Sequence, residues 1–327
     1  MEAPATQSNT RPDADASELV PGAQLAGKDL RHLDLTGSDL AGADLSGADL
    51  REVKGLRANL RGANLREARL DGAQLLHCDL SEADLSHASG TNMGLGGSSL
   101  DGAVLFGAGL SGASLSQATL VRADIRMAEL AGARLRSTDL TGVDATRADL
   151  TGTDLTEANL SEATLHNADL HGATLHGITG YRSSDWVGCN ATQADFTGAY
   201  LARRAVIDQN YLHEFRSQSK KHELLYKVWW ATSDCGRSYL RWAMWTLLFA
   251  AVFAGLYEFV LIDYGAEKTA LSSLYFSTVT LTTLGYGDVL PVSQAAQAVV
   301  MTQVVIGYVM LGGLLSIFSS KMSRRGD

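Results

Sequence analysis

A chain of 327 residues, 46% hydrophobic and 19% charged with a net charge of −9, has length for two domains and the wrong sign to coat nucleic acid. Its three cysteines, Cys78, Cys189 and Cys235, are odd in number and far apart, which excludes a disulfide framework and paired-cysteine zinc spacing. Of 23 aromatic residues only Phe106 precedes residue 181, so the first half cannot fill a conventional globular core.

Residues 1–21, rich in Ala, Pro, Asp and Ser, read as a disordered tail without the pattern of a secretory signal. From Leu25 to Leu175 every fifth position gives 31 sites, of which 27 are leucine; Gly55, Gly90, Ile125 and Ala145 are the exceptions. Two residues before each site, 21 of the 31 positions are alanine, and the intervening residue is often Asp or Asn, as in Ala43-Asp44-Leu45 and Ala63-Asn64-Leu65. A helix would wind these leucines around its surface and a strand would alternate them between faces. A chain that turns a corner every five residues points every Leu and Ala inward.

This pattern resembles the pentapeptide-repeat family, A-(D/N)-L-x-x, over residues 22–206. The resemblance implies a right-handed quadrilateral β-helix with four pentapeptides per coil. Coils stacked ~4.8 Å apart make eight to nine layers and a rod of roughly 40 Å. The phase slips between residues 177 and 193 and resumes one residue late at Ala194-Asp195-Phe196, which predicts a bulged coil around Tyr181, Trp186 and Cys189, with aromatic rings protecting the open end. His166, His171 and His176 recur at spacing five but fall on successive sides, with Thr146 and Trp186 as the expected neighbours of His166, so solvated corners outweigh a metal site. Gly94-Leu95-Gly96-Gly97 predicts an irregular loop rather than a phosphate cradle, since no strand-to-helix context follows. Cys78 replaces an inward Ala and reads as a buried thiol.

Residues 207–238 interleave Tyr211, Leu212, Phe215, Leu224, Leu225, Val228, Trp229 and Trp230 with basic residues, which predicts linker helices, packed or lying at the inner headgroups. Residues 239–262 and 295–318 are apolar runs long enough to span a bilayer, the second broken only by Gln297, Thr302, Gln303 and Ser316. Eight basic residues from Arg203 to Arg241 precede the first span, and Lys321, Arg324 and Arg325 follow the second; between them Lys268 stands alone against Asp263, Glu267 and Asp288. Both termini are therefore expected in the cytoplasm, with residues 321–327 as a cytoplasmic tail.

The stretch between the spans holds Thr283-Leu284-Gly285-Tyr286-Gly287-Asp288, similar to the T-V-G-Y-G filter of potassium channels with Leu for Val. Gly285 and Gly287 permit the backbone angles that turn successive carbonyls toward one axis, and the Thr283 hydroxyl can add an inner ring. The two-span pattern implies a pore domain over residues 239–320 with a pore helix over 271–282 and a filter over 283–288. Tyr275 and Phe276 match the aromatic pair that braces the filter, and Thr282 lies beside it. Val279 stands where some relatives carry a glutamate, so Asp288 is expected to hydrogen-bond Tyr275 instead. Gly307 matches the inner-helix hinge, Gly312 and Gly313 offer further bending points, and Tyr308, Leu311 and Leu315 are candidate cavity or gate positions.

The whole resembles the bacterial pentapeptide-repeat ion channels: a multidomain chain with a β-solenoid followed by an all-α two-transmembrane pore. The resemblance implies a homotetramer in the bilayer of a bacterial inner membrane, since each chain supplies one of four filter strands. It implies no cofactor and no resident metal, potassium being the transported ion, and no nucleic-acid partner. A sodium-permeable channel and a membrane-tethered interaction protein that mimics DNA stand as alternatives. No nucleophile–base pair speaks for an enzyme, and no arginine-repeat segment for a voltage sensor. Only nine residues follow Phe318, which leaves no expected nucleotide- or calcium-sensing domain and makes the solenoid or linker the lever for regulation.

Overall fold

The computed structural model describes residues 15–236, 238–265 and 268–323; most of the predicted N-terminal tail, Arg237, Glu267, Arg324 and Arg325 lie outside them. The chain divides between His213 and Glu214 into two units, each with its own core.

The first unit is a four-sided β-solenoid. Parallel bridges join residues twenty apart, from Gln24↔Asp44 to Asn159↔Thr179. Each bridge is a two-way backbone exchange, such as Leu25 N to Asp44 O (2.7 Å) and Asp44 N to Ala23 O (2.8 Å). At most corners a turn closes on the carbonyl of the inward residue, as in Ala48 N to Leu45 O (3.0 Å); at Cys78 the Ser98 hydroxyl is interposed, accepting from Cys78 N (3.0 Å) and donating to Leu75 O (2.8 Å). The Asp or Asn before the leucine accepts from the corner amide, Thr36 N to Asp34 Oδ1 (2.9 Å) and Ser46 N to Asp44 Oδ1 (3.1 Å), which explains its preference there. Inward Leu and Ala are essentially sealed from solvent. At the two glycine exceptions a neighbour fills the gap: a Cβ on Gly55 would lie 2.5 Å from Leu75 Cδ2, and one on Gly90 would lie 2.8 Å from Leu110 Cδ2 and 3.1 Å from Met93 Sδ. Cys78 is buried in an inward position, its thiol pushed up to about 11 by desolvation.

Three expectations change, and the bulged coil expected at the phase slip is found. Gly94-Leu95-Gly96-Gly97 is no irregular loop, because Gly94 keeps its bridges to Gln74 and Ser114. The bare glycines let the coil before fold over them, and Cβ atoms on Gly94 and Gly97 would meet Gln74 Oε1 at 2.5 Å and His77 Nδ1 at 2.4 Å. The phase slip is one inserted residue between Thr179 and Asp185, after which bridges run at twenty-one (Thr164↔Asp185, Asp169↔Asn190, Thr174↔Asp195). That insertion turns Trp186 fully inward, away from His166, whose Nδ1 instead lies 3.9 Å from Asp185 Oδ2. The solenoid also stops short of residue 206, since helix α1 (Tyr200–Ser217) begins where no further coil offers a bridge.

α1 closes the open end of the stack. Ala202 and Val206 bury themselves against it, and two carboxamides replace the missing strand. Gln209 accepts from Trp186 N (2.8 Å) and donates to Ser184 O (3.0 Å), while Asn210 accepts from Gly188 N (2.7 Å) and donates to Trp186 O (3.0 Å). At the other end a short 3-10 helix, Ala16–Glu18, carries a capping box on Asp15 and pairs Glu18 with Lys28.

Carboxylate–guanidinium pairs line the coils. Asp29 takes the Arg31 guanidinium on both carboxylate oxygens and is held at about 2; Asp49, buried, is lowered chiefly by Arg51, and Asp124 chiefly by Arg126. Folded values below unfolded ones give a stabilisation complete above about pH 4 and lost as pH falls toward about 2. Thermal melts followed by circular dichroism should therefore show the solenoid transition moving down across that window; a transition that rises on acidification contradicts the pairing.

In the second unit, α2 (Lys220–Ser233), capped by Ser219, leads through a left-handed turn at Asp234 to α3 (Tyr239–Tyr257). β1 (Ile262–Asp263), α4 (Ser272–Leu281), β2 (Leu290–Pro291) and α5 (Gln294–Ser323) follow. β1 and β2 pair antiparallel, Ile262↔Pro291 and Asp263↔Leu290, closing the loop that holds α4. The first apolar helix ends five residues before the predicted 262, because the chain leaves the helix at Glu258 to form β1. The second runs past 318, since nothing at Ser319 breaks it.

Candidate ion-conduction site

α3 and the stretch Gln294–Ser319 of α5 are long and apolar enough to cross a membrane, and only 11% and 17% of those windows is buried within the chain. A soluble core helix would be mostly buried, so these faces suit lipid or further copies of the chain.

α4 supplies the site. Its Ser273, Phe276, Ser277, Val279, Thr280 and Leu281 are buried between α3 and α5. Phe276 rests on Tyr257 with ring centroids 4.9 Å apart. At its C-terminal end the chain folds back on the helix: Thr283 N donates to Thr280 O (3.1 Å) and Leu284 N to Val279 O (3.0 Å). Thr282 turns its hydroxyl to Thr278 O (2.7 Å). The backbone then enters the left-handed region at Thr283 (φ 59°), Gly285 (φ 50°) and Gly287 (φ 78°). A Cβ at either glycine would meet nothing within 4 Å, so what requires glycine there is the backbone angle and not space. Tyr275 Oη donates to Asp288 Oδ2 (2.7 Å), tying the far end of the loop to α4. Tyr275 and Phe276 thus serve different neighbours, one the loop after α4 and the other the helix core. Tyr275→Phe should leave assembly intact and speed the loss of current during sustained conduction several-fold, as one charge-assisted bond is removed; unchanged inactivation in patch recordings contradicts a supporting role.

Thr283, Gly285, Tyr286, Gly287 and Asp288 line a groove of about 290 Å³ whose other wall includes Val300, Val304 and Tyr308 of α5. Tyr308, Leu311 and Leu315 share one exposed face of α5. The three glycines of α5 differ sharply. A Cβ on Gly307 would lie 2.3 Å from Leu281 O, and one on Gly313 would lie 2.1 Å from Trp242 Cζ2, whereas Gly312 has open space. Trp242 Nε1 also donates to Met310 O (2.7 Å). Gly307 and Gly313 are thus points of close approach, and among the three only Gly312 is unencumbered.

Sequence reasoning missed a buried polar cluster between the helices. Gln303 appeared only as an interruption of an apolar run, yet it is wholly buried and joined to Tyr257 and Ser277. The histidines of the solenoid do not converge: His171 Nδ1 meets Thr192 Oγ1 at 2.8 Å, and among the described residues no three His, Cys, Asp or Glu side chains gather.

Comparison with known proteins follows the same division. Residues 22–54, 57–89, 98–136 and 138–177 match pentapeptide repeats in eight copies, and residues 244–324 match the ion channel family. Over 70 residues the chain is 36% identical to the calcium-gated potassium channel TvoK of Thermoplasma volcanium, covering 20% of each protein. Over 74 residues it is 42% identical to two pore potassium channel b of Oryza sativa subsp. japonica, covering 21% of each. The chain thus spans about a fifth of the length of these curated relatives. Among solved structures, HetL from the cyanobacterium Nostoc, a pentapeptide-repeat protein involved in heterocyst differentiation regulation, is 32% identical over 53% of this chain and 84% of its own, with a TM-score of 0.26. QnrB1, a plasmid-mediated fluoroquinolone resistance protein, is 23% identical over 57% of this chain and 96% of its own, with a TM-score of 0.41. This chain joins a pentapeptide-repeat solenoid to a segment, residues 244–324, that is similar to the ion channel family.

Proposed function

We propose that this protein is a homotetrameric, potassium-selective channel. The observation that carries the reading is the loop Thr283–Gly287, which folds back under a buried pore helix and enters the left-handed region at both of its glycines. Four such loops around one axis replace the hydration shell of potassium with the carbonyl oxygens of Thr283, Leu284, Gly285, Tyr286 and Gly287, and the Thr283 hydroxyl adds a further ring. Irregular backbone is tolerated at that depth because it lines a wet path within protein. α4 points its C-terminal end, with its partial negative charge, toward the cavity. The potassium channels that residues 244–324 resemble support the choice of ion. The excess of basic residues before α3 supports cytoplasmic termini, with the solenoid in the cytoplasm as an assembly or regulatory element.

Proteoliposomes loaded with potassium and holding the full chain test the function. Efflux of potassium and uptake of rubidium, with sodium excluded, support it; equal sodium and potassium flux favours the non-selective alternative. Removing residues 1–200 separates the two roles of the solenoid: lost tetramers mark assembly, and intact tetramers with altered open probability mark regulation.

A further inference from the structure

We propose that Gln303 is a positioning residue of the filter, fixing the register between the inner helix and the pore helix. The inference rests on the channel reading above and deepens it by naming what holds the pore helix in place.

Gln303 and Ser277 are fully buried and Tyr257 nearly so, all within one chain, so no neighbouring copy is needed to desolvate them. The Tyr257 hydroxyl of α3 donates to Gln303 Oε1. Gln303 Nε2 donates to Ser277 O (3.0 Å) and to Ser277 Oγ (2.7 Å), and Ser277 Oγ donates onward to Ala250 O (2.7 Å). Ser277 O is an obligate acceptor, so the amide orientation is fixed: the opposite flip would set two oxygens against each other. Both Nε2 hydrogens and Oε1 are then used, and one side chain on α5 joins α3 and α4. A polar side chain at that depth is costly unless every group is paired.

The register is what makes this a positioning device. Gln303 meets Ser277, and four residues further along each helix Gly307 meets Leu281, whose carbonyl leaves no room for a Cβ. Two successive turns of α5 thus key into two successive turns of α4. The keyed turns end at Leu281, and the filter loop begins at once, hung from Val279 O and Thr280 O. A slip or tilt of α4 against α5 displaces those carbonyls and the Thr283 ring with them. Trp242–Met310 ties α5 to α3 by a bond that does not involve α4, two turns further along α5, and so supplies a comparison away from the pore helix.

The test uses the full chain in proteoliposomes and planar bilayers. Gln303→Met keeps the volume and removes all three of its bonds; Ser277→Ala keeps the backbone acceptor and removes the Oγ bonds to Gln303 and to Ala250; Trp242→Phe removes the Trp242–Met310 bond. Single interhelical hydrogen bonds within a membrane contribute little to assembly, so tetramers are expected to survive each change. Gln303→Met is expected to lower the potassium-to-sodium permeability ratio about five- to tenfold, its three bonds to α3 and α4 being lost together. Ser277→Ala should lower it less, the pair together no more than Gln303→Met alone, and Trp242→Phe should lower thermal stability with the ratio unchanged. If Gln303→Met instead matches Trp242→Phe, with weaker tetramers and an unaltered ratio, the residue is structural and the proposal is overturned. Should Gln303→Met fail to assemble, Ser277→Ala and Tyr257→Phe decide, since both unchanged ratios contradict the proposal. A wild-type channel without potassium selectivity would overturn the channel reading itself, which separates the two failures.

Discussion

Gly307→Ala is expected to abolish selective potassium current, whereas Gly312→Ala, five residues on, should leave the filter untouched. The two glycines look alike in the sequence but sit in opposite surroundings. A Cβ on Gly307 would lie 2.3 Å from Leu281 O and 3.1 Å from Leu281 C, which are backbone atoms at the end of the pore helix. Those atoms cannot rotate aside as a flexible side chain would, so α4 and α5 must separate. Overpacking of this kind costs about 1–3 kcal/mol per chain, and four chains share one pore. The displaced atoms precede Thr283 by two residues, so selectivity should fail along with stability. At Gly312 nothing lies within 4 Å, and alanine would only stiffen the helix. The expected signature of Gly312→Ala is therefore a changed open probability at unchanged reversal potential. Thermal melts and single-channel records of the two variants check both arms; the opposite assignment, with Gly307→Ala gating normally and Gly312→Ala unselective, contradicts the packing.

Gly285→Ala should lose selectivity for a different reason. Gly285 holds φ 50° with open space around its Cα. Alanine has room there but pays about 1–2 kcal/mol to stay left-handed. The relaxed alternative rotates the peptide and swings a carbonyl away from the axis. Four such defects act on one ion path, so sodium should pass at a rate comparable to potassium, or conduction should cease. Gly287, at φ 78°, predicts the same outcome. A variant that keeps the wild-type ion ratio would show that these angles are not needed for selection.

What the sequence revealed depended on whether one residue type decides one position. In the solenoid each corner and each inward site asks for a single small set of residues, so Leu at every fifth position made the coil readable without coordinates. The loop Thr283–Gly287 stood out for its two glycines, both of which adopt left-handed angles, and for the apolar runs on either side. Features that depend on pairs distant in the chain stayed hidden. Trp186 was expected near a histidine corner, but one inserted residue after Thr179 turned it inward. Gln209 and Asn210 substitute for a missing strand, which no local pattern announces. Gly307 matched a bending point by position, yet its role here depends on a carbonyl 26 positions earlier. Gln303 looked like a flaw in an apolar run because its partners lie on two other helices. Polar residues inside a predicted span are the signal that pointed there.

The central claim is tested most directly by the reversal potential of the full-length protein in a planar bilayer with potassium on one side and sodium on the other. A reversal potential displaced far toward the potassium equilibrium value, and abolished by Gly285→Ala, is the predicted result. A reversal potential near zero in the wild-type chain would contradict a potassium-selective filter at Thr283–Gly287.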